Sequence, residues 1–319
     1  MTTIEVNDLY IAYGEKIAVG GISFQANSGE VLTILGPNGA GKTSTVESIE
    51  GYRRPSRGSI RVLGLDPHKD LPKLTQFIGV MLQDGGIYPR MTPLEALHLF
   101  HDYYKDPLNI DYLIELTNLR DALKTPYRRL SGGEKQRLSL ALAIIGKPKV
   151  VFLDEPTAGI DPEGRLAVRE VIRNLKSQEV CVLLTTHELD EAQRLSDRII
   201  ILDHGKIAAE GDLDELMTAA QGENIRFSAP SGIDLSALEA EIGAKVTEER
   251  AGEYLIVTQA TPDNIVKLTS FLAGRNIFVG DIRAGKSSLE DVFFALTGRT
   301  VEQDAQHGPS TGRRGRRHR

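Results

Sequence analysis

An α/β core with a largely parallel sheet, followed by a small α+β domain, is the fold class that the sequence predicts. Three observations lead there. Apolar, strand-like runs at residues 31–35, 78–82, 150–153, 180–185 and 199–202 alternate with helix-length segments, the rhythm of parallel strands joined by crossover helices. The run Val150-Val151-Phe152-Leu153 and the run at 180–184 lack polar alternation, as expected of strands covered by helices on both faces. Past Gln221-Gly222-Glu223-Asn224 the composition changes and the elements shorten, which places a domain boundary there.

The core spans residues 1–220. It opens on Ile4, Val6 and Leu9 alternating with polar residues, with no basic leader segment, so a cytoplasmic location is expected. A helix-rich insertion occupies about residues 92–146 and begins Thr92-Pro93-Leu94-Glu95, a capped helix start with proline in its first turn. In the second domain, residues 221–300, strands are expected near 225–227 and 254–257 and at 277–282, with helices at 262–274 and 288–297. Its acids Glu239, Glu241, Glu248 and Glu249 are read as a solvated face. Residues 301–319 read as a disordered basic tail, either a plain tail or a contact for anionic lipid.

Composition narrows the function classes. With 319 residues, 40% hydrophobic and 26% charged, the chain is neither collagen-like nor a disordered polyampholyte. Cys181 is the single cysteine, so no intrachain disulfide forms, and its apolar neighbours mark a buried thiol. The best apolar stretch, 138–145, contains Ser139 and falls short of the ~18 residues that cross a bilayer. The net charge of −6 includes five arginines after Gly308, so the body of the chain is acidic and no nucleic-acid partner is expected.

Three motifs carry chemistry. Gly36-Pro37-Asn38-Gly39-Ala40-Gly41-Lys42-Thr43 satisfies G-x-x-x-x-G-K-[ST] between an expected strand and an expected helix. Such a loop curls its N–H groups around phosphate and adds the helix dipole. Lys42 is then the cation for the β- and γ-phosphates, and the Thr43 hydroxyl is placed for Mg²⁺. Asp154 and Glu155 end the run at 150–153, at the sheet edge where open α/β folds bind ligands. Two acids after a strand also occur in ordinary turns; beside a phosphate loop, Asp154 is expected to serve the metal and Glu155 to take a proton from attacking water. Leu130-Ser131-Gly132-Gly133-Glu134-Lys135-Gln136-Arg137 combines a capping box, Ser131 with Glu134, with paired glycines that a helix start does not need. An anion approaching the helix tip closely would explain them.

From about residue 4 to 217 the chain resembles the nucleotide-binding subunits of ABC transporters. Residues 130–136 match the family signature and Ala158 to Asp161 its D-loop. Tyr13 matches the aromatic that stacks on adenine, Gln83 the glutamine linking metal and membrane partner, and His187 the switch histidine. The resemblance implies a P-loop NTPase fold with a helical subdomain. It implies ATP bound by Tyr13, by residues 36–43 with the adjoining Ser44, and across a dimer by Ser131, Gly132, Gly133, Gln136 and Asp161. Mg²⁺ would be held by Thr43, Gln83 and Asp154, and catalysis would involve Glu155, His187 and Gln83. It further implies a homodimer sandwiching ATP, with a separate transmembrane permease that would hold the subunit at the cytoplasmic face of the membrane. Residues 288–299 are similar to the ending of daunorubicin-resistance ATPase subunits, which points to efflux of a drug-like or lipophilic compound. A related ATPase acting on ribosomes or DNA is the alternative, against which stand the single cassette and the lack of a long heptad run.

Overall fold

The computed structural model describes residues 1–81, 86–219, 224–284 and 289–297. It divides into two compact units, Met1–Leu213 joined by Leu296 and Thr297, and Asp214–Ala295. That division falls at 213/214, inside a helix, where the sequence reading placed it at 220/221. Gln83, the residues at 221–223 and the basic tail lie outside the described residues.

In chain order the first elements are β1 (Thr2–Tyr13), β2 (Lys16–Asn27), β3 (Val31–Leu35), α1 (Lys42–Ile49), β4 (Arg57–Val62), α2 (Leu71–Leu74) and β5 (Ile78–Met81). The helical stretch follows, with α3 (Pro93–His101), α4 (Ile110–Leu116) and α5 (Gly132–Ile144). Then come β6 (Val150–Asp154), α6 (Pro162–Ser177), β7 (Cys181–Thr186), α7 (Leu189–Leu195), β8 (Arg198–Asp203), β9 (Lys206–Gly211) and α8 (Leu213–Ala219).

The central sheet runs β5-β6-β7-β3-β8-β9. Its strands are parallel except β9, which returns antiparallel beside β8. The buried strands lack polar alternation because each face has its own apolar cover. Val31, Val151, Leu153, Val182 and Leu184 join a core with residues of α3, α4, α5 and α6. Their neighbours Leu32, Ile34, Val150, Phe152, Cys181 and Leu183 face the other way and pack with Ile4, Val6, Leu9, Phe24 and Ile60. The second cover is an antiparallel sheet, β2-β1-β4, which the sequence reading did not anticipate. Gly20 and Gly21 weaken the strand signal of β2, yet Gly21 sits at φ 84, and a Cβ there would lie 2.7 Å from the Tyr10 hydroxyl. Cys181 is fully buried, and burial pushes its thiol up to about 12, the inert structural role expected.

The second unit contains β10 (Asn224–Ser228), α9 (Leu235–Ile242), β11 (Val246–Arg250), β12 (Glu253–Val257), α10 (Pro262–Gly274), β13 (Asp281–Ala284) and α11 (Leu289–Thr297). Its antiparallel sheet runs β11-β12-β10-β13 over a separate core that includes Phe227, Leu238, Tyr254 and Phe271. The strand expected at 277–282 is corrected to Asp281–Ala284. β10 is five residues long and pairs Ser228 with Asp281 through Ile225 with Ala284, so residues before Gly280 run past its end with no strand to bond. α9 and β11 were missed, although Asp234 caps α9 and Gly243 ends it in the left-handed region. Three of the four acids expected on a solvated face have local partners. Glu239 accepts from the Val246 N–H, Glu248 from the Gly252 N–H, and Glu249 pairs with Arg226.

Candidate nucleotide site

The order β6-β7-β3 puts three chain segments side by side at one sheet edge. Parallel register sets Leu35 of β3 against Thr186 of β7, and Asp154 of β6 against Thr185. The glycine-rich loop, the acid pair and His187 therefore leave the sheet together, as the ends of parallel strands must.

The loop's shape depends on its glycines at two places. A Cβ on Gly36 would sit 2.3 Å from the Leu202 carbonyl oxygen, and Gly41 adopts φ 108 with the Ala18 carbonyl 2.7 Å from where its Cβ would be. Gly41 is the N-cap of α1 and supplies no side-chain cap, and no acid lies in the first turn. A helix start with no side-chain cap and no acid suits an anion. Lys42 is buried and donates from Nζ to the carbonyls of Gly36 at 2.6 Å and Pro37 at 3.2 Å. Asn38, Gly39 and Thr43 are exposed, whereas Pro37 and Ala40 are buried, so the last two shape the loop rather than present side chains.

Asp154 accepts a hydrogen bond from the Thr185 hydroxyl. Burial is the main force raising its pKa, with the neighbouring Glu155 charge adding to it and Thr185 and Lys42 opposing. Glu155 stands at φ 47, and its N–H is held by the Thr185 carbonyl at 3.0 Å. That backbone turn aims its carboxylate at His187, whose Nδ1 lies 2.9 Å from Oε1. The contact holds the Glu155 carboxyl below the usual carboxylate range and raises the His187 imidazole. Thr185 was not singled out from the sequence; a threonine at the end of a wholly buried strand was its only signal.

Tyr13 is half exposed at the end of β1. Its hydroxyl lies 2.9 Å from Ser44 Oγ, and the Arg53 guanidinium covers its ring 4.5 Å from the centroid. Arg53 was likewise not foreseen. The structure thus ties Tyr13 to the first turn of α1.

The signature residues form a second group. Ser131 caps α5 as read from the sequence: the Glu134 N–H donates to Ser131 Oγ at 3.2 Å, and the Ser131 N–H donates to the Glu134 carboxylate at 2.7 Å. Gln136 lies in the second turn, half-buried. The tip of α5 lies beside residues 159–161 at a spacing where even a Cβ would make only ordinary van der Waals contact. A Cβ on Gly132 would be 3.7 Å from the Gly159 carbonyl, and one on Gly133 would be 3.4 Å from Ile160 and 3.5 Å from Asp161. Asp161 caps α6 by accepting from the Gly164 N–H at 3.3 Å.

The sequence profile of ABC transporters matches residues 19–158. The chain is 33% identical over 309 residues to Nod factor export ATP-binding protein I of Rhizobium etli, covering 95% of this chain and 96% of that protein. The chain belongs to the ABC transporter ATPases. Within them it groups with ATP-binding subunits of exporters: it is also 32% identical to the daunorubicin/doxorubicin resistance ATP-binding protein DrrA of Streptomyces peucetius, covering 94% of this chain and 93% of that one. A solved ATP-binding subunit of an ABC transporter superposes with a TM-score of 0.63 at 28% identity, over 68% of this chain and 92% of its own. As an ABC ATPase the chain binds and hydrolyses ATP. Cassettes of this family dimerise and work with transmembrane partners, and among the described residues no helix of this one is long and apolar enough to cross a membrane.

Proposed function

We propose that this ABC ATPase works as a homodimer closed by ATP and drives a separate transmembrane permease that exports a drug-like or lipophilic compound. The observation that carries the reading is the convergence of Lys42, Asp154, Glu155 and His187 at one sheet edge. Phosphoryl transfer needs positioning and charge stabilisation more than covalent chemistry, and this edge supplies both.

Lys42 and the first-turn N–H groups of α1 hold the β- and γ-phosphates. The Arg53 and Ser44 contacts set the Tyr13 ring for the adenine. Glu155, ionised by its contact with His187, accepts the proton of the attacking water, and His187 then donates to the γ-phosphate. Among the described residues no three His, Cys, Asp or Glu side chains would cage a metal on their own. The exposed Thr43 hydroxyl and the Asp154 carboxylate fit Mg²⁺, which takes few protein ligands and shares the rest with phosphate and water. Bound there, Mg²⁺ supplies charge to the phosphate oxygens. Ser131 and Gly133 of one copy face the γ-phosphate held by its twin, which gives the paired glycines their use.

The permease contact falls on the groove of about 300 Å³ between the sheet and the helical stretch, lined by Tyr52, Ile87, Phe100 and Tyr104. The Glu50 carboxyl at its wall is pushed to about 8, mainly by burial and next by Asp154. Pull-down from detergent-solubilised membranes tests the reading. A stoichiometric polytopic membrane protein is the expected catch, and ribosomes or DNA in its place would overturn the transport role while leaving the ATPase intact.

A further inference from the structure

Between the 158–161 turn and His187 lies a charge cluster that the reaction itself does not use. Arg165, at the start of α6, donates from Nε to the Ile160 carbonyl at 3.2 Å. Its two terminal nitrogens donate to the two oxygens of Glu188, at 2.5 and 3.1 Å. Glu188 adjoins His187, and its own N–H is held by the Thr186 hydroxyl at 2.9 Å. One guanidinium therefore grips both the turn and the residue beside the switch histidine. Arg169, one helical turn along, pairs with the buried Glu191 of α7. Arg165 also pairs with Glu191 at 3.7 Å, beyond hydrogen-bond reach, so its two short contacts are those to Glu188.

At the other end of this path the 158–161 turn packs closely against the start of α6 and lies beside the tip of α5. The tip of α5 lies on Gly159, Ile160 and Asp161, and a Cβ on Gly164 would come within 2.4 Å of Ile160 Cγ2. Close-packed contacts of this kind shift as a unit. From the turn beside the tip of α5 the contacts run through Ile160 and Arg165 to Glu188, and from the adjoining His187 to Glu155.

We propose that Arg165 is a positioning residue that ties the 158–161 turn to His187, so that the helix tip closing over one nucleotide sets the His187–Glu155 pair at the other. This rests on the nucleotide-sandwich dimer proposed above. Arginine is required because a planar fork can hold a carboxylate through two nitrogens while Nε serves a carbonyl; a lysine can make only part of that set. A purely structural ion pair would also look like this, and the two roles separate by double-mutant cycle.

The test is single-turnover ATP hydrolysis with the full chain in excess, so that slow variants still give a rate. Wild type, Arg165→Met, His187→Ala and the double variant are compared. Arg165→Met is expected to slow hydrolysis about tenfold, with binding of a fluorescent ATP analogue to the single chain unchanged, and Arg165→Lys to recover only part. In the His187→Ala background the same change should cost less than about twofold, because its target is gone. Equal losses in both backgrounds, or wild-type speed in Arg165→Met, would overturn the assignment and leave the dimer reading standing. If Glu155→Gln fails to dimerise on ATP, the sandwich itself falls and this role falls with it.

Discussion

The N-terminus of α1 has no side-chain cap and begins at a glycine in the left-handed region, whereas that of α5 is closed by Ser131 and Glu134, each accepting from the other's backbone. Both tips are glycine-rich, yet the first has neither a side-chain cap nor an acid in its first turn. It is prepared to take a phosphate by itself, with Lys42 already inside the loop. The second closes the Ser131 and Glu134 N–H groups on each other's side chains and carries the Glu134 charge in its first turn. Alone it is a poorer anion site than the first, which suits the proposed dimer, in which the phosphate is already held by the other copy.

The sharpest way to break that contrast is Lys42→Ala. Removing the cation from the prepared tip should reduce ATP binding and turnover by at least about a hundredfold, read by equilibrium binding of a fluorescent analogue; near-normal binding would remove α1 from its role. Glu155→Gln acts on chemistry alone. Turnover should fall by about 10² to 10⁴-fold with binding retained, and ATP should drive the variant into dimers on size exclusion. Ser131→Ala opens the self-capped tip, at a cost of about 1 kcal/mol in helix stability. Single-chain ATP binding should stay within about twofold while turnover drops, and weakened binding by the isolated chain would show that the two tips do not differ as described.

The smallest effect concerns the pair beside the phosphate loop. The raised His187 pKa means that its share of the contact is complete below the ordinary imidazole value of about 6.5 and is lost as pH rises through the raised one. The lowered Glu155 pKa means that its share is present above the ordinary carboxylate value and fades as pH falls through the lowered one. The pair therefore persists from the weakly acidic range up to the raised imidazole pKa. NMR titration of the His187 ring should show a midpoint above 6.5 that moves back toward it in Glu155→Gln; an unmoved midpoint would mean that the two side chains do not meet in solution.

Much of the site was legible because its chemistry is written in contiguous residues. A glycine-rich loop between strand and helix, acids at a strand end and a capping box each fix local backbone through near neighbours. Strand 31–35, the start of α1, the Thr92 cap and helix α10 followed for the same reason. Contacts between distant residues left no such trace. Thr185 on Asp154, Arg53 over Tyr13 and Arg165 across to Glu188 each join separate elements, and no periodicity or spacing announces them.

By itself the sequence determined the parallel core, the phosphate loop, the acid pair and the family, since those depend on local pattern and on apolar runs long enough to demand burial. Tertiary structure alone decided that β3, β6 and β7 lie adjacent, that an antiparallel sheet covers one face, and that residues 277–279 run free of any ladder. Strand order and register are settled by which faces bury one another and by the length of the neighbouring strand, quantities that exist only once the chain has closed on itself.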